Sequence, residues 1–308
     1  MEPAYINSQN SGLLEKKVKT AFNALQNCTL CPRKCGVDRM RDEKAFCRTG
    51  RQAVVASYSP HFGEETPLVG QHGSGTIFFA NCNLMCLFCQ NFEISHEGMG
   101  QPVSEEQLAS VMLALQRMGC HNINFVSPSH VVPQIVSAVD IAARRGLRLP
   151  LVFNSGGYDR SSTLRLLNGV IDIYMPDFKF WSASIAAAAC EAPDYPEVAR
   201  KAILAMHAQV GDLVLDHRGV ALRGLLIRHL VLPGGVADTR RVMRFIAREV
   251  SKESYVNVMS QYRPCGRAGE IEGLGRALRA GEYRDALRAA RDEGITRLDQ
   301  PHLPPLFR

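Results

Sequence analysis

The chain has 308 residues, 46% hydrophobic and 21% charged, with ten cysteines and a net charge of +6. That length can bury one large core with a smaller appendage, nothing in it reads as low complexity, and no apolar run is long enough to span a bilayer. The charge is too mild and dispersed to make nucleic acid an expected partner. The first twenty residues are polar and charged rather than signal-like, so a cytoplasmic protein is expected, whose cysteines serve as metal ligands rather than disulfides.

In chain order, the first constellation is Cys28, Cys31, Cys35 and Cys47, four cysteines within twenty residues. A small segment punctuated by Pro and Gly has little core of its own, and such a set reads as a second metal site. Only Cys28 and Cys31 form a zinc-ribbon knuckle, so zinc and a second iron–sulfur cluster both stay open; the plain alternative is four unrelated buried cysteines. Residues 1–69 are expected to form this Cys-rich segment. His61, Glu64 and Glu65 then read as a solvated turn, with the wall of a substrate site as the alternative.

Residues 75–80 read as a short buried strand running into Asn81 and a second cysteine set, Cys82, Cys86 and Cys89, in CxxxCxxC spacing. Three thiolates hold three corners of a [4Fe–4S] cluster and leave the fourth iron open for a ligand. Structural zinc needs a fourth ligand, and no Cys or His follows Cys89 at finger spacing.

Beyond this loop, helix-like and strand-like segments alternate in the βα rhythm of a parallel sheet. Helices are expected at 104–118, 131–145, 160–168, 197–209 and 236–250; strands at 122–126, 149–153, 171–175 and 255–259, with a two-stranded stretch over 212–232. About six parallel strands result, fewer than a closed eight-stranded barrel requires, so a partial barrel is expected over 70–265. Residues 266–308 are read as an extension of two short amphipathic helices and a Pro-containing tail, packed over the open side.

Polar residues gather where these strands end, the place where parallel α/β folds carry their chemistry. Ser127 and Ser129 follow one strand, Asn154 to Asp159 the next, and Asp177 and Lys179 the next; His229 lies within a later strand. Each has a plainer reading. The serines and Asp159 can cap helices, Gly156 and Gly157 can serve a tight turn, Asp177 and Lys179 can be an exposed ion pair, and His229 can be a satisfied core histidine. Asp177 and Lys179 are two apart, so on extended backbone they share a side. Cys120, Cys190 and Cys265 stand alone and read as packing, except that Cys265 lies close enough to a strand end to donate a hydrogen atom or to form a substrate adduct.

The cluster loop, with Phe88 before its last cysteine, resembles that of the radical S-adenosylmethionine (SAM) superfamily. The runs 171–179 and 227–234 look like the corresponding segments of pyruvate formate-lyase activating enzymes, specifically the branch that carries an N-terminal Cys-rich segment. The resemblance implies a partial (β/α)6 radical SAM barrel, a cluster on Cys82, Cys86 and Cys89, and reductive cleavage of SAM to methionine and a 5′-deoxyadenosyl radical. It implies that Phe88 flanks the adenine and that Asn154, Asp177 and Lys179 lie on strand ends used for SAM, with Ser127, Ser129 and His229 as further candidates at the same mouth. It also implies a glycyl residue of a protein or peptide as hydrogen-atom donor, and a flavodoxin- or ferredoxin-type electron donor. One departure is plain: activating enzymes carry Gly-Gly-Glu after the second strand, where this chain has Ser127, Pro128 and Ser129, so backbone carbonyls are expected to accept the SAM amino group there. Competing expectations are radical modification of a peptide, metabolite or RNA, and a non-catalytic iron–sulfur electron carrier.

Overall fold

The structure is a computed structural model that describes residues 2–299. Its strands are β1 (Ala53–His61), β2 (Ser74–Phe79), β3 (Gln101–Val103), β4 (Ile123–Val126), β5 (Leu151–Ser155), β6 (Ile173–Pro176), β7 (Val214–Leu215), β8 (Ala221–Leu230), β9 (Tyr255–Met259) and β10 (Arg297–Leu298). They form one sheet in the order β10-β9-β8-β6-β5-β4-β2-β1-β3, with β7 paired to β8 off that path. From β2 to β10 along this order every neighbouring pair is parallel. β1 and β3 run antiparallel at the other edge. The mixed α/β class expected from the βα rhythm is what the chain adopts.

Alternation along the strands builds two apolar layers, as a parallel sheet covered on both faces requires. Ile173, Met175, Val152 and Leu226 pack with Leu68 in a small inner cluster. Their neighbours Tyr174, Leu151, Phe153, Leu225 and Ile227 belong to the large core under the helices. The sheet curls around the inner cluster. Glu65, just beyond β1, accepts a 2.9 Å hydrogen bond from the Asn257 side chain of β9, and the Thr66 N–H donates to Asp299, just beyond β10, at 3.2 Å.

The crossover helices lie close to where the apolar period places them. The helix Glu105–Arg117 opens on a reciprocal cap, with the Gln107 N–H on the Ser104 hydroxyl and the Ser104 N–H on the Gln107 side chain. The helix Val132–Arg144 carries Pro133 in its first turn, where a missing N–H costs nothing.

Several expectations need correction. β5 begins two residues later than expected, so Asn154 and Ser155 are strand residues rather than loop. The helix expected at 236–250 runs from Thr239 to Phe245 and closes in a wider turn, Ile246–Val250, after a turn at Pro233–Gly235 in which Gly234 has φ 70°. Among the described residues one C-terminal helix forms, Ala280–Asp292, preceded by a single turn at Ala268–Glu270. Arg240 and Arg244 tie it to the neighbouring helix through Asp292 and Glu293. The tail from residue 300 onward lies outside the described residues. β1, β3, β10 and the helices Ala4–Asn10, Leu13–Asn23 and Ala183–Cys190 carried no signal strong enough to be expected. The first two helices bury Tyr5 and Leu14 in the main core, and the Ala4 N–H donates to Asp172 at 2.7 Å. Among the described residues no helix is long and apolar enough to cross a membrane.

Candidate functional site

The carboxyl ends of the parallel strands open onto a cavity of about 350 Å3 whose wall includes Cys82, Cys86 and Cys89. The loop after β2 turns through two left-handed residues, Asn81 at φ 68° and Met85 at φ 58°. Asn adopts that region readily and Met rarely does, so the turn is held by its surroundings. Those surroundings include the Asn83 amide on the Tyr158 carbonyl at 2.7 Å. The turn also brings the Leu84 N–H to within 3.3 Å of the Cys82 sulfur.

Burial pushes the Cys82 thiol up to about 12 and raises Cys89 as well. Cys86 rises furthest, through its contact with the Cys190 thiol and then burial. The Cys190 thiol donates to the Cys86 sulfur at 3.3 Å, so this cysteine is no isolated packing residue. All three loop cysteines are thiols in this environment, and a metal would have to displace their protons. Among the described residues no group of three or more His, Cys, Asp or Glu side chains is already arranged to hold a metal ion.

Across the cavity stand Asp177, just past β6, and Lys179. Asp177 joins Lys179 at 2.5 Å and the Arg228 guanidinium of β8 at 2.8 Å, while Glu65 lies 3.8 Å beyond Arg228. Burial alone would raise the Asp177 carboxyl, but Arg228 and Lys179 override it and hold it below its usual value. Burial likewise works against Lys179, and the Asp177 charge keeps the ammonium firmly protonated. Glu65 goes the other way: burial outweighs Arg228 and raises it. The plainer reading of an exposed ion pair therefore fails: the pair is buried, one arm of a charge network in the cavity wall.

One hydroxyl ties the strand-end loops together. Tyr195 Oη accepts the Lys179 N–H at 2.9 Å and lies 3.0 Å from the carbonyls of Gly156 and Asp177. Gly157 has to be glycine here, since its φ is 76° and a Cβ would fall 2.1 Å from the Asp177 carbonyl oxygen. Asn154, Ser127 and Phe88 complete the wall. Asn154 accepts the Ser127 N–H through its carbonyl, and Ser127 is itself left-handed at φ 58°. Phe88 is fixed edge-on against Phe180 and tilted on Tyr262.

Other candidates fall elsewhere. His229 faces away from the cavity, with Nδ1 2.6 Å from the Phe178 carbonyl and Nε2 2.9 Å from the Thr239 hydroxyl. Burial lowers it to about 4, which makes it the satisfied core histidine of the plainer reading. Neighbours on a strand point to opposite faces, so Arg228 takes the cavity and His229 the helix layer. Ser129 is buried outside the cavity wall and holds Asp159, which also accepts the Ser155 hydroxyl at 2.5 Å, so neither residue caps the following helix. Cys265 is absent from the cavity wall, and the next residue, Gly266, lies against Leu87 and Phe92. His61 and Glu64, in contrast, do reach the cavity, joined at 2.9 Å, where a solvated turn was expected.

The N-terminal cysteines come together as well. Cys28, Cys31, Cys35 and Cys47 surround a separate small void with Arg39 and His130. Arg33, between two of them, donates to the carbonyls of Asn83, Leu84 and Cys190 and lies over the Phe46 ring, so this segment braces the back of the cluster loop. Neither arginine carried a sequence signal, because each works through backbone carbonyls far along the chain.

Fold and site together define a mixed α/β protein with a cysteine-lined cavity at the carboxyl ends of its parallel strands. No family model matches the chain. It is 31% identical over 286 residues to an uncharacterised protein of Methanocaldococcus jannaschii, covering 90% of this chain and 78% of that one, and it belongs to the family of that protein. Among solved structures it is similar to methylornithine synthase (PylB), at a TM-score of 0.45 and 15% identity over 75% of this chain and 72% of that one, too distant a likeness to carry an argument.

Proposed function

We propose that the chain is a radical SAM enzyme whose target is a glycyl residue of another protein, and that the parallel strands β2, β4, β5, β6, β8 and β9 serve as a partial (β/α)6 barrel. The observation that carries this reading is the sharing of one cavity by the three CxxxCxxC thiols and the Asp177, Lys179 and Arg228 network. When bound, a [4Fe–4S] cluster would supply one electron and SAM a 5′-deoxyadenosyl radical.

The residues of the chain hold, orient and enclose. Cys82, Cys86 and Cys89 would each bond one iron and leave the fourth free for a ligand. Lys179, protonated by its partnership with Asp177, offers a fixed cation to a carboxylate. Gly156 presents bare backbone, with Leu84 already 3.3 Å from where a Cβ would stand, so a ligand can approach closely. Phe88 and Leu84 provide apolar wall for a flat ring and keep water from a reactive carbon centre. A cavity of about 350 Å3 lies in the range of small-molecule sites. The mouth is bordered by His61, Glu64, Gln90 and Gln261, and the Gln90 amide donates to the Gln261 carbonyl at 2.9 Å. The protein target and a flavodoxin- or ferredoxin-type donor are supported by the motif resemblance.

The test is anaerobic: reconstitute the cluster, add SAM and dithionite, and quantify 5′-deoxyadenosine for wild type beside Cys86→Ala. Deoxyadenosine from wild type alone supports the reading. A loaded cluster that yields none, and whose EPR spectrum is unchanged by SAM, makes the protein an electron carrier and ends it. A glycyl doublet in an added glycyl-radical enzyme would establish the target class; deoxyadenosine without such a doublet on any candidate would shift the target to a peptide or metabolite.

A further inference from the structure

The N-terminal void poses a problem of charge. Arg39 is 1% exposed, its Nε donates to the Gly50 carbonyl at 3.0 Å, and its Nη1 donates to the His130 carbonyl at 2.8 Å and lies 3.8 Å from the Cys28 sulfur. Its Nη2 has no partner, nor does Nδ1 of the fully enclosed His130. Among the described residues no carboxylate pairs with Arg39. An unpaired buried guanidinium is strongly unfavourable unless an anion joins it.

We infer that Cys28, Cys31, Cys35 and Cys47 hold a second, fully ligated [4Fe–4S] cluster for which Arg39 is the internal counter-charge. Each thiol would give its proton to solvent as its sulfur bonds an iron, and four thiolates on a doubly positive four-iron core leave about two negative charges beside the guanidinium. The spacing separates this from a zinc ribbon: only Cys28 and Cys31 form a CxxC knuckle, and a four-iron cluster takes such an irregular set. With four protein ligands no iron stays open, so this centre takes no SAM. The inference uses none of the first cavity's residues, while the wild-type stoichiometry expected below rests on the reading that a cluster is held there too.

The test uses the full chain, reconstituted anaerobically with iron and sulfide. The Cys82→Ala/Cys86→Ala/Cys89→Ala variant is expected to retain roughly four iron and four sulfide per chain, with an EPR signal that SAM does not alter. Wild type is expected to carry about eight of each. A Cys31→Ala/Cys47→Ala variant should lose the SAM-insensitive half and keep the SAM-sensitive signal. Arg39→Gln should lose the second cluster to a chelator several-fold faster than wild type. A folded triple variant without iron, or wild type with about four iron and one tightly held zinc, overturns the inference. Should the triple variant fail to fold, the wild-type stoichiometry alone decides between these outcomes.

Discussion

His229 allows a sharp test, because one substitution separates a core role from a ligand role. Its Nδ1–H is committed to the Phe178 carbonyl and its Nε2 to the Thr239 hydroxyl, and burial lowers it to about 4 from 6.5. A histidine depressed in the folded state stays neutral there and takes a proton more readily when unfolded. Its contribution is therefore complete above pH 6.5 and is lost as pH falls toward 4. A shift of about 2.5 units at 1.36 kcal/mol each amounts to about 3 kcal/mol. His130, lowered to about 3 by burial and Arg39, adds a loss of the same sign, so the comparison with His229→Gln isolates one residue. Urea unfolding of both proteins from pH 7.5 to pH 4.5 should show the variant less stable at pH 7.5 but with the shallower acid decline. SAM affinity at pH 7.5 should change less than threefold. Equal pH slopes, or a tenfold loss of SAM binding, would refute the assignment of His229 to the core.

Asp177→Asn would strand Lys179 and Arg228 as neighbouring buried cations, so stability should fall by about 3–5 kcal/mol, with partial recovery in Asp177→Asn/Arg228→Met; a loss below about 1 kcal/mol in chemical denaturation would show the network to be solvated. Gly157→Ala should cost roughly 2–4 kcal/mol, since its methyl group meets the Asp177 carbonyl and its backbone is left-handed; a variant with wild-type melting behaviour would contradict that packing. Cys190→Ala removes a thiol donor from the Cys86 sulfur and should lower the midpoint potential of the loaded first cluster while leaving its iron content intact; spectroelectrochemical titration with an unchanged midpoint would rule out the contact. Because burial holds Cys82 near 12 and raises Cys89, cluster assembly must expel protons, and reconstitution should be faster at pH 8.5 than at pH 6.5; a flat profile would mean the thiols ionise freely.

Some of the site was readable because its geometry is local. Cys82, Cys86 and Cys89 sit on one short loop, so their common cavity follows from spacing. Asp177 and Lys179, two apart on extended backbone, share a side as the period of a strand requires. The two readings of His229 stayed open in the sequence because the period is evident, but which face is inward depends on what covers each side. The edge strands β3 and β10, three and two residues long, carry too few residues to show a period at all. The 4–23 helices show their purpose only where Tyr5 and Leu14 meet the core.

The sequence by itself determined the βα order, the cysteine loops and the collection of polar residues at strand ends, because chain spacing and side-chain period encode these within a few residues. Only the tertiary structure brought Cys190 to Cys86 across 104 residues, Arg33 to the back of the cluster loop, Glu65 toward Arg228, and Arg39 into the ring of N-terminal cysteines. Those contacts depend on how far the sheet curls and how the segments before β1 fold over it, which is settled by burial summed over the whole core rather than by any local pattern.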